Sequence, residues 1–213
     1  MVSDAAKAHL HDHLRWVRQA LVSKLDGLSE FDVRRPLTST GTNLLGLVKH
    51  CATWDSRYLG EVFGRPFAGV PRWDDQTARG TDVWATEQES RTDIVELYRR
   101  VWRHTDETIE SLDLDHVGYV PWWQQRVPLF NVMVHCLSDT TRHAGHADIL
   151  REGLDGSVGV DADTPARYGR DEAYWDARRA TVEHAARAAA AVQRPAGERR
   201  GFGPPSDQLS EGD

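Results

Sequence analysis

Apolar residues recur every three or four positions along four long stretches of the chain, and segments rich in Pro, Gly and Asp separate them. In the first stretch, from about Ser3 to Asp26, the stripe is Leu10, Leu14, Val17, Leu21 and Leu25, with Gly27 as the stop. That spacing predicts an amphipathic helix with one face on a core. After a turn segment from Ser29 to Gly41, Thr42 or Asn43 is suited to cap a second helix reaching about Phe63, where Gly64 and Pro66 end it. Its inward stripe reads Leu44, Leu47, Cys51, Trp54 and Tyr58. A third helix is predicted from Ser90 or Thr92 to Leu112, carrying Ile94, Leu97, Val101 and Ile109 on one side. The fourth begins at Pro128, a good first-turn residue, and runs through Glu152 to Gly153 or Gly156.

Two connections differ in character. The segment from Gly64 to about Glu89 is long enough to cross between helices of a bundle, while Asp113 to Arg126 is shorter and holds Tyr119, Val120, Pro121, Trp122 and Trp123. Beyond Gly156, Gly, Asp and Pro dominate to about Arg170; Asp171 to Gln193 then reads as helix, favoured by the alanine-rich run from Ala185 to Ala191. No internal repeat and no useful alternating strand pattern is present. The predicted fold is all-α: an antiparallel four-helix bundle over residues 1–156, a linker and C-terminal helix laid on it over 157–193, and a disordered tail over 194–213.

Composition narrows the functional classes. Acidic residues outnumber basic ones 33 to 26, for a net charge of −7, and no Lys/Arg cluster offers a nucleic-acid groove. The opening residues, with Asp4, His9, His11, Asp12 and His13, lack the apolar core of a signal peptide, and no stretch is apolar enough for a membrane span. The expectation is a soluble, cytoplasmic protein. Cys51 and Cys136 fall on apolar stripes and read as inert core thiols. Ten histidines remain to be explained.

The fourth helix offers the explanation. Along its inward rows from Cys136 to Ala147 stand Asp139, Thr140 and His143, where a plain bundle would carry Leu or Ile. Asp139 and His143 are four apart, so their Cβ atoms lie about 5–6 Å from each other on one face, as two side chains sharing a metal ion require. His50 adjoins the buried stripe of the second helix. Two imidazoles and one carboxylate form a three-donor set suited to a divalent ion, with coordination positions left open for water or substrate. His135 and His146 stand close enough along the helix to replace a ligand or support one, and Arg142 is spaced to pair with Asp139 instead. For His9, His11, His13, His104, His116 and His184, surface or core roles suffice.

The stretch LTSTGTNLLGLVKHCATWDSRYLGEVFGRPF, the later DTTRHAGHADILREGLDG and a Tyr-Trp-containing helix with VEHAAR together resemble the DinB superfamily, in particular its actinobacterial branch of mycothiol-dependent enzymes. The resemblance implies a four-helix bundle holding a divalent metal, zinc or nickel, through His50, Asp139 and His143. It implies a low-molecular-weight-thiol S-transferase in which the metal activates mycothiol for attack on an electrophilic carbon. A mycothiol-dependent cis/trans isomerase and a non-catalytic, dimer-forming bundle are the alternatives. Arg142 and His146 are candidate supporting or substrate-orienting groups, and Trp122 and Trp123 could wall the pocket mouth or pack against the bundle end.

Overall fold

A computed structural model describes residues 4–159 and 169–192; the expected tail and most of the expected linker lie outside them. The molecule is mostly helical and divides into two units, residues 1–169 and 170–213. The first contains helices α1 (Asp4–Ser23), α2 (Glu30–Arg34), α3 (Leu44–Leu59), α4 (Arg91–Ser111) and α5 (Leu129–Asp155). It also contains a hairpin of β1 (Val117–Val120) and β2 (Gln125–Pro128). In the second unit, α6 spans Glu172–Val192, close to the expected helix.

Local chemistry sets the helix ends much as anticipated. Asn43 accepts the Gly46 N–H at 2.8 Å and caps α3, and Ser90 accepts the Asp93 N–H at 3.0 Å and caps α4. At its far end α5 is closed by Gly156, whose φ of 73° is in the left-handed region that favours glycine.

The four long helices of the first unit share one core. α1 packs against α5, α3 against both α4 and α5, and α1 touches α4. Leu14, Leu21, Leu44, Leu45, Val48, Ile109, Leu129 and Met133 are buried there. At about 1.5–3 kcal/mol for each large apolar side chain removed from water, these are the residues that hold the helices together.

A charged network crosses this core. Arg18 of α1 is fully buried and donates from Nε to Asp55 Oδ2 at 2.9 Å, from Nη1 to Asp106 Oδ1 at 3.1 Å and from Nη2 to Thr105 Oγ1 at 3.1 Å. Tyr98 OH also donates to Asp55, and His11 Nε2 donates to Asp106 at 2.8 Å. Burial works against the Arg18 charge, but Asp55 and Asp106 more than offset it and hold the guanidinium firmly protonated. His11 thus has a core role.

Two elements correct the sequence expectation. The connection from Asp113 forms an antiparallel hairpin in which Tyr119 pairs with Arg126 and Val117 with Pro128, so the expected first residue of the fourth helix ends a strand and α5 starts at Leu129. Strands of four residues are too short to display a period of two, so the pattern was not visible. Gly118 lets the hairpin lie against the 3-10 turn Glu61–Phe63, since a Cβ there would stand 2.9 Å from Val62 O. The five-residue α2, capped by Ser29, falls inside the segment expected to be turn.

Candidate metal centre

His50 lies on α3, in the turn after the buried residues Leu45 and Val48, and faces α5 across the α3–α5 contact. Asp139 and His143 stand one turn apart on α5. The two imidazoles meet edge to face with ring centroids 4.7 Å apart. One ligand atom from each of His50, Asp139 and His143 lies within 4.8 Å of the other two, and all three side chains are partly buried. Among the described residues this is the one such group of His, Cys, Asp and Glu.

These donors fit a divalent ion. His143 Nε2 is 3.6 Å from Asp139 Oδ2, longer than a hydrogen bond. It matches the edge of a tetrahedron whose metal–ligand bonds are about 2.0–2.2 Å, which is about 3.3–3.6 Å. His143 Nδ1 is buried without a hydrogen-bond partner among the described residues, so neither ring nitrogen is committed to the protein. Burial pushes the His143 pKa below its ordinary value, with His50, His146 and Arg142 adding to the effect and Asp139 opposing it. A neutral imidazole with a free lone pair is what a metal requires.

The crossover between α3 and α4 supplies a residue that sequence reasoning missed. Asp82 Oδ2 accepts His50 Nδ1–H at 2.7 Å and Trp54 Nε1–H at 3.1 Å. Burial disfavours the Asp82 charge, yet these hydrogen bonds and the nearby His50 hold its carboxyl below the usual range. The segment is fixed by close approach: a Cβ on Gly46 would lie 2.1 Å from Val83 O. Asp82 stands in an irregular connection, between Thr81 and Val83, and no periodicity marked it.

A cavity of about 320 Å³ opens beside His50 and His143, lined also by Thr40, Thr42, Leu47 and Val83 among others. His146 also lines it; this exposed residue has its ring centroid 5.5 Å from that of His143. Arg142 is exposed and forms no ion pair with Asp139 among the described residues. Next to His50 the aromatic rings of Trp54, Tyr58, Trp73, Trp122 and Trp123 form a continuous cluster. Trp122 and Trp123 pack in this cluster and do not line that cavity. His135 joins it as well, 4.5 Å from Tyr58 and 4.8 Å from Trp123, and burial lowers its pKa. Cys51 and Cys136 are free and buried, and burial pushes both thiols well above their ordinary range, as inert core residues require.

Fold and site together define a mostly helical protein with a His/Asp/His candidate metal centre at the edge of an open cavity. The family model described as Mycothiol-S-transferase matches residues 9–156, which include all three donors and most of the first unit. The chain belongs to the mycothiol S-transferase family. No curated protein matches it.

Proposed function

We propose that this protein is a metal-dependent mycothiol S-transferase built on an antiparallel four-helix bundle. Its divalent ion, zinc first and nickel second, is held by His50, Asp139 and His143. The observation that carries this reading is the convergence of those three donors from α3 and α5 in a chain of the mycothiol S-transferase family. A bound divalent cation lowers the pKa of a thiol beside it far below the free value of about 8.5, which makes thiolate available at neutral pH.

The chain's own residues supply the rest. His50 and His143 would each offer an imidazole nitrogen and Asp139 one carboxylate oxygen, so a divalent ion held by them would keep net positive charge beside the thiol. Leu47 and Val83 exclude water from one side of the cavity, while Thr40, Thr42 and His146 offer polar contacts on its rim. In the reaction the thiol sulfur forms a bond to an electrophilic carbon of the second substrate. The leaving group departs with its electron pair, and the thiol proton passes to solvent. Arg142 and His146 orient the substrates from the exposed side of α5. No helix among the described residues is long and apolar enough to cross a membrane, and free, buried cysteines suit the reducing cytoplasm we assign to the protein.

The test is metal analysis together with turnover. Protein purified without chelator should carry close to one equivalent of zinc or nickel, and His50→Ala and His143→Ala should lose it. Incubation with mycothiol and a bimane electrophile should give conjugate faster with wild type than with His143→Ala. Equal rates, or a wild type that stays metal-free on reconstitution, would overturn the reading.

A further inference from the structure

Asp82 has a position that the metal centre alone does not explain. It comes from neither helix that carries the donors, yet its Oδ2 accepts N–H groups from both His50 and Trp54. A carboxylate can only accept, so Nδ1 of His50 carries a proton, and in the neutral ring the lone pair is then on Nε2. The crossover just after Asp82 is fastened to residues that precede His50. Asn43, the cap of α3, donates from Nδ2 to Val83 O at 3.5 Å, and the close approach of Gly46 leaves no room for a side chain there. Lys49 Nζ donates to Trp84 O at 3.1 Å and pairs with Glu89 at 2.7 Å.

We propose that Asp82 is the positioning residue of this centre, fixing both the tautomer and the ring orientation of His50 so that Nε2 is held ready for a cation. The proposal rests on the reading of His50 as a metal ligand for its functional meaning, but its structural core is independent of any ion. Carboxylates that accept the second N–H of a ligating imidazole raise its basicity and restrict its rotation, and their loss costs about 10–100-fold in metal affinity. The crossover segment is then part of the site and not merely a tether between α3 and α4.

The test pairs zinc titration with nitrogen-15 NMR of the histidine rings in metal-free protein. In wild type the His50 ring should show Nδ1 protonated and Nε2 unprotonated; in Asp82→Ala this preference should be lost. The zinc Kd of Asp82→Ala should rise about 10–100-fold, and that of Asp82→Asn, which keeps one acceptor oxygen without the charge, should fall between. Helix content by circular dichroism identifies a variant that fails to fold, in which case Asp82→Asn decides alone. A wild type that binds no zinc would overturn the metal reading and leave the tautomer measurement to judge Asp82. An unchanged tautomer in folded Asp82→Ala, or a zinc Kd equal to that of wild type, would overturn the proposal.

Discussion

His143 Nε2 faces Asp139 Oδ2 across 3.6 Å on one side of α5, a separation that suits two ligands of one ion better than a hydrogen bond between them. Zinc that binds only the folded chain stabilises it by mass action, by about 2.7 kcal/mol at a concentration one hundred times Kd. Thermal melts should therefore shift upward with zinc and return with chelator. Asp139→Asn should abolish most of that shift while changing the metal-free melt little, because Asp139 makes no hydrogen bond among the described residues. A wild-type melt that is indifferent to zinc would count against the centre.

Removing Arg18 should be among the most damaging substitutions in the chain. Arg18→Ala leaves Asp55 buried with its main counter-charge gone, and such uncompensated charges cost about 3–5 kcal/mol. Urea denaturation reads this directly. A loss below about 1 kcal/mol would mean that water or rearrangement reaches Asp55, contrary to the packing described.

Gly46→Ala should disturb the centre without touching a ligand. The added methyl would meet the backbone carbonyl of Val83 at 2.1 Å, so the crossover that carries Asp82 must move. Overpacking of this kind costs about 1–3 kcal/mol. Zinc affinity should fall together with stability; stability lost with zinc affinity intact would separate the crossover from the site.

Acid should weaken the fold in part through Asp106. Burial opposes its charge, but the His11 hydrogen bond, the Arg18 guanidinium and the Arg15 hydrogen bond outweigh burial and hold the carboxyl below its usual range. A carboxyl depressed in the folded state adds stability above its unfolded pKa of about 3.9, and that contribution is lost as pH falls through the folded value. Asp106→Asn should be less stable than wild type near neutral pH, and the gap should narrow below about pH 4. Denaturation midpoints that fall in parallel at all pH values would assign the acid sensitivity to other groups.

The four long helices were legible because each must bury a continuous stripe, and a stripe repeats at the helical period whatever lies opposite. The helix caps at Asn43 and Gly156 were legible for the same local reason. Asp139 and His143 could be paired from spacing alone, since one helix fixes their separation. The hairpin and α2 escaped notice because elements of four or five residues carry too few positions to establish a period. His11, assigned no special role by its pattern, is buried against Asp106 because the partner comes from α4, far along the chain.

What the sequence determined by itself is therefore the set of long helices and the one-helix half of the site, both consequences of regular backbone geometry. Tertiary structure decided which face of α3 brings His50 to that pair, why Gly46 has no side chain, and that Asp82 reaches His50 from an irregular crossover. Contacts between segments distant in sequence depend on how helices pack and where a connection is pinned, and neither leaves a periodic trace in the residues that make them.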